Sequence, residues 1–165
     1  MNTLNYLKLD DKKVSNVVKS MAQLLADLQV YYNNLHGFHW NVKGKGFFVL
    51  HEKYEELYNE TAEKVDEVAE RILQLGGTPE NRLSRALEIS RVKEDGFEPS
   101  GRDGMNSVLE TIGLLISQER EIKKIADEAG DNVTSALMDD YLKGQEKSVW
   151  MLTSFLSKCH EENKK

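Results

Sequence analysis

The chain has 165 residues, of which 39% are apolar and 30% charged, with two prolines and a formal net charge of −6. That length supports one domain with one sizeable core, and the scarcity of proline suits long amphipathic helices. The acidic balance excludes a generally basic surface that wraps nucleic acid and favours cations as partners, and no apolar run approaches the ~20 residues of a membrane span.

A single domain over 1–165 is expected, with residues 1–9 as a short mobile arm and 159–165 (CHEENKK) as a frayed tail. The start, MNTLNYLKLDDKK, lacks the apolar core of a signal peptide, so a cytoplasmic location is expected. Asp10 or Asp11 can cap the first helix by accepting from a free backbone N–H. Val14, Val17, Val18, Met21, Leu24, Leu25, Leu28, Tyr31, Tyr32 and Leu35 then recur at helical spacing, which predicts a helix to about Trp40. His36 and His39 fall on its last turn. The loop VKGKG turns the chain. Leu50, Tyr54, Leu57, Tyr58, Val65, Val68, Ala69, Ile72 and Leu75 mark a second helix from Phe48 to Leu75, stopped by Gly76, Gly77 and Pro79.

Thr78-Pro79 opens a crossover, with proline expected at a first-turn position where its missing N–H costs nothing. Residues 80–90 can form a short helix, and Gly96, Pro99 and Gly101 mark a connection. A third helix is predicted over about 102–129, with Met105, Val108, Ile112, Leu115, Ile122 and Ile125 inward. Gly130 stops it, and Asp131 can cap a fourth helix running to about Lys158 through Val133, Leu137, Tyr141, Val149, Leu152 and Phe155. Each helix would be ~40 Å long at about 1.5 Å per residue. Short links within each pair and one long crossover between the pairs predict an all-α, ferritin-like four-helix bundle, with a short extra helix between helices two and three. The single cysteine, Cys159, excludes an internal disulfide and a thiolate metal cluster and fits a reducing compartment.

The chemistry-bearing residues concentrate between His39 and Glu70. His51 follows His39 by twelve residues, Glu55 lies one turn beyond His51, and Asp66 and Glu70 are again one turn apart. Imidazole nitrogen and carboxylate oxygen suit iron, zinc or manganese. His51 and Asp66 are fifteen residues apart, which is about 22 Å along a helix and within roughly 60° of the same face. A metal–ligand bond spans only about 2 Å, so the two ends cannot share an ion within one chain. Two copies of the helix packed antiparallel about a two-fold axis near Tyr58 and Asn59 would bring His51 of one to Asp66 and Glu70 of the other, twice by symmetry. Taken singly, each of these residues is also what a charged helix surface carries. Di-iron bundles with internal sites place Glu-x-x-His on core helices. That spacing is absent from this sequence, which predicts an apolar bundle interior and a metal site elsewhere.

FHWNVKGKGFFVLHEKYEELY followed by DEVAERI resembles the Dps family, the mini-ferritins named as DNA-binding proteins from starved cells, and the likeness runs from about residue 10 to 158. The resemblance implies a hollow homo-dodecamer with ferroxidase centres at its two-fold interfaces. Fe²⁺ is oxidised there, preferably by hydrogen peroxide, and stored as ferric mineral, which protects against oxidative stress. It assigns His39 and His51 of one subunit, with Asp66 and Glu70 of its partner, as catalytic metal ligands. Glu55 stands where the family often has an acid that helps hold a second iron. Iron is the implied cofactor and cargo, with no organic cofactor.

Trp40, beside His39, is a candidate to pack over the site and donate electrons, as the resemblance suggests, or else to serve as an interface aromatic. Trp150 is expected in the core, His36 at the surface and His160 in the exposed tail. Asp127, Glu128, Asp131, Asp139 and Asp140 are candidate pore acids, while Ala136 stands where relatives often carry an acid. DNA is a possible partner through Lys8, Lys12, Lys13 and Lys19, although Asp10 and Asp11 interrupt that cluster. Two other readings stay open: a DNA-compacting protein with incidental metal binding, and a helical interaction module with a zinc-stabilised dimer.

Overall fold

The computed structural model describes residues 3–96 and 100–157. Cys159, His160 and the tail expected over 159–165 lie outside the described residues. Among the described residues six helices follow in order: α1 (Thr3–Leu7), α2 (Asp11–Asn41), α3 (Phe47–Gln74), α4 (Leu83–Ile89), α5 (Gly101–Ala129) and α6 (Asn132–Leu156). The four long ones form the expected bundle. α2 packs against α3 and α5, α5 against α6, and α4 lies on α2. No helix of the described residues is long and apolar enough to cross a membrane.

The helix ends follow from local chemistry. Asp10 caps α2 by accepting from the Lys12 and Lys13 amides at 2.9 and 3.3 Å. α3 ends in a Schellman turn: Gly76 adopts φ 79°, its N–H bonds Leu73 O at 3.0 Å, and the Gly77 N–H bonds Ile72 O at 2.9 Å. Gly130, at φ 74°, ends α5, and Asp131 caps α6 by accepting from the Thr134 amide.

The apolar stripes meet in one core. Val14, Val17, Met21, Leu24, Leu28, Leu35, Tyr54, Val68, Ile72, Val108, Leu115, Ile122 and Met138 are buried, each large aliphatic contributing about 1.5–3 kcal/mol on leaving water. The crossover is held by polar side chains of α2. Buried Asp27 accepts from the Arg91 amide at 2.6 Å and from Ser90 Oγ at 3.1 Å, and pairs with the Arg91 guanidinium at 3.2 Å. Asn34 donates to Lys93 O and accepts from the Asp95 amide.

Several expectations are corrected. Residues 3–7 of the anticipated arm form α1, with Leu4 buried in the core cluster, because one apolar side chain docks near the α3 turn. Pro79 does not open a helix. α4 starts at Leu83, since Glu80 accepts from the Arg82 amide and guanidinium and makes a local turn instead. Trp150 and Val133 are exposed, at 66% and 62%, not in the core. The interior is not uniformly apolar: Glu119, Gln118, Gln145, Asp27 and Arg71 are buried in it.

Candidate metal centre

His39 on the last turn of α2 and His51 on the first turns of α3 face each other across the α2–α3 corner. Each ring Nδ1 lies 2.9 Å from the other residue's backbone carbonyl. A carbonyl only accepts, so both bonds place hydrogen on Nδ1 and leave Nε2 with a free lone pair in the neutral ring. The rings stack with centroids 3.7 Å apart at 20°, and Phe47 stacks on His51 at 5.0 Å. Orienting hydrogen bonds of this kind are what hold ligating imidazoles in place. The end of α2 supplies one of the acceptors, because the His39 carbonyl has no partner further along its helix; the His51 carbonyl lies inside α3 and accepts the His39 bond in addition to its place in the helix.

Glu55 is exposed one turn along α3 from His51. The Tyr58 hydroxyl is raised above its ordinary pKa by desolvation and then by the Glu55 carboxylate, which it also hydrogen-bonds. Asp66 and Glu70 are exposed on α3, one turn apart and far from the imidazoles. Among the described residues, no group of three or more His, Cys, Asp or Glu side chains of one chain is placed to hold a metal ion. The chain therefore carries two half-sets, nitrogen donors at one end of α3 and oxygen donors toward the other.

Arg71, next to Glu70, anchors the oxygen end. Its guanidinium pairs with buried Asp131 at 2.6 Å and donates to Thr134 Oγ1 and Gln74 Oε1, both at 2.9 Å. Asp131 is thus a structural acid, buried in the fold, and leaves the set of candidate pore acids. Asp127 and Asp139 lie 3.9 and 2.8 Å from Lys123, so part of their charge is already neutralised. Glu128 and Asp140 are exposed. Asp140 and Ala136 line a shallow concavity of about 420 Å³ that also touches Glu67 and Glu70.

His36 is not the surface residue expected. Its ring packs between Tyr58 at 4.2 Å, Tyr32 at 4.5 Å and Trp40 at 5.2 Å, and its Nε2 is buried with no hydrogen-bond partner. Desolvation, then the nearby His39, lowers its pKa. Trp40, 68% exposed, packs edge-on against His36. Sequence reasoning missed this aromatic cluster. Its signal was the four-residue step Tyr32–His36–Trp40, which puts three rings on one face of α2.

A Ferritin-like domain model matches residues 18–161. A DNA protection during starvation protein of Porphyromonas gingivalis is 52% identical over 91% of this chain and 94% of that protein. The Dps protein of Vibrio cholerae O1, described as a member of a broad superfamily of ferritin-like diiron-carboxylate proteins, superposes with a TM-score of 0.89 at 42% identity, covering 90% of this chain and 94% of that one. Dps of Staphylococcus aureus superposes with a TM-score of 0.84 at 40% identity, covering 87% and 97%. The fold, the matched length and these identities establish that the chain belongs to the Dps family of ferritin-like proteins.

Proposed function

We propose that this protein is a cytoplasmic ferroxidase and iron-storing mini-ferritin. Its metal centre is shared between two subunits of a hollow homo-dodecamer: His39 and His51 come from one, Asp66 and Glu70 from its partner, with Glu55 helping to hold a second iron. The observation that carries this reading is the division of donors along α3. Two imidazoles have Nε2 lone pairs freed by reciprocal Nδ1–carbonyl bonds, and the carboxylates that suit the same ion lie out of their reach in one chain. Mixed nitrogen and oxygen donors fit Fe²⁺, and neutral rings are required to bind it.

Iron is the substrate. Two Fe²⁺ give one electron each to hydrogen peroxide, which takes up two protons and leaves as two waters; the ferric product is stored as mineral inside the shell. The chain's part is to hold the metal ions in register and to keep the imidazoles in the ligating tautomer. His51→Ala and Glu70→Ala are each expected to slow Fe²⁺ oxidation while the particle mass stays that of the wild type. The measurement adds Fe²⁺ anaerobically, then peroxide, and follows oxidation alongside mass. Wild-type rates in both variants would refute the assignment.

The reading as a DNA-compacting protein draws on the names of relatives and on Lys8, Lys12, Lys13 and Lys19. Docked Leu4 ties back the segment that carries Lys8, which leaves a short cationic reach for phosphates. No gel retardation at low salt is the outcome that removes it.

A further inference from the structure

In the middle of the bundle, between α5 and α6, the buried side chains of Glu119 and Gln145 meet. Gln145 Nε2 donates to Glu119 Oε1 at 2.7 Å. The second oxygen of each group, Glu119 Oε2 and Gln145 Oε1, is buried and has no partner. A carboxylate and an amide side by side leave two acceptors and no hydrogen between them. One proton on Glu119 Oε2 supplies the missing donor and closes a ring of two hydrogen bonds. We propose that Glu119 and Gln145 form a proton-closed carboxylic acid–amide pair between α5 and α6 that loses one of its two hydrogen bonds when Glu119 ionises.

The surroundings favour the neutral acid. Glu119 is fully buried, at 0% exposure, and burial raises its pKa to about 7 against the lowering effects of the Gln145 bond and Lys64, with Glu60 adding to the rise. The groups facing the pair come from every neighbouring helix. Tyr31 of α2, whose hydroxyl is also buried and makes no hydrogen bond to either oxygen, lines the same small cavity of about 20 Å³ as Gln145, together with Thr61, Glu60 and Lys64 of α3. Tyr141 of α6 is held by Glu67 through its hydroxyl. Lys64 is engaged with Glu60 at 2.7 Å, so the cation in this region is already committed to another acid. Leaving a buried polar atom unsatisfied costs about 1–3 kcal/mol, and the added proton removes two such atoms at once. The pair lies on other helices than the histidines, and its behaviour can be read without iron.

The test is an infrared pH titration of the assembled full-length protein. At pH about 6 an ordinary glutamate, with a pKa near 4.3, is ionised. The wild type is expected to retain the carbonyl band of a protonated carboxylic acid at that pH and to lose it by pH about 8, and Glu119→Gln is expected to lack it throughout. Gln145→Met is expected to keep the band and shift it toward that of an acid with no hydrogen bond. Absence of the band in the wild type at pH about 6 overturns the proposal. So does a band that survives Glu119→Gln, or one that Gln145→Met leaves in place. The wild-type titration decides on its own if a variant fails to assemble.

Discussion

At the scale of single residues, protonation and burial decide what the polar groups can do. The neutral His39 and His51 rings are held as the Nδ1–H tautomer, each by the other's carbonyl, which leaves both Nε2 lone pairs free. Glu119 is the opposite case, an acid made costly to ionise by its surroundings. Its folded pKa of about 7 lies above its ordinary 4.5, so the folded state holds the extra proton between those values. Stability therefore falls as pH rises through that window and levels above about 7, a difference of about 3 kcal/mol. Glu119→Gln should abolish that slope, seen as a denaturation midpoint that exceeds the wild type's at pH about 8 and meets it at low pH. Asp131 is a third kind of buried acid, paired. Asp131→Ala would leave the buried Arg71 guanidinium without its counter-charge, with only Thr134 and Gln74 to accept from it, and would lose the α6 cap, for a loss of about 3–5 kcal/mol in chemical denaturation. A loss under about 1 kcal/mol would mean that Arg71 finds other partners.

Among the elements, the crossover depends most on a few contacts. Between α3 and α5 the described residues contain only the two turns of α4, and side chains of α2 hold their path. Asp27 alone receives the Arg91 amide, Ser90 Oγ and the Arg91 guanidinium. Asp27→Ala takes the acceptor from the Arg91 amide and leaves Ser90 Oγ to Val92 O and the Arg91 guanidinium to Gln118 Oε1, and should cost about 1–3 kcal/mol. Limited proteolysis should then cut first between α4 and α5, with the four long helices intact. Uniform protection of that segment in the variant would show that Asn34, through Lys93 and Asp95, suffices. The long helices were legible in advance because their apolar residues recur at a period that only a helix places on one face. α4 and α1 were less so. One is governed by the Glu80–Arg82 turn and the other by a single leucine, and neither leaves a periodic trace.

For the whole molecule, a shared centre makes a prediction that no site within one chain can make. His51→Ala keeps the carboxylates and Glu70→Ala keeps the imidazoles. When the two variants are unfolded, mixed in equal amounts and reassembled, half of the two-fold pairs are expected to be mixed. Each mixed pair has one intact centre of two, so about a quarter of wild-type oxidation should return. No recovery above the separate variants, in particles of normal mass, would place all the donors in one chain or outside the set altogether.

Sequence alone determined the four long helices and the spacing of the candidate donors. Apolar residues three and four apart required long helices, the glycines at 76 and 130 marked their ends, and the twelve-, four- and fifteen-residue steps from His39 to Glu70 set the candidate donors in two groups too far apart to meet on one helix. Those conclusions follow from the rise and pitch of a helix and need no knowledge of what packs against it. Tertiary structure decided what depends on neighbours distant in the chain. It exposed Trp150 and buried His36 Nε2, turned Asp131 inward to Arg71, and set Glu119 against Gln145. A periodic pattern says which face of a helix is buried; it does not say which polar group on that face will find a partner waiting there.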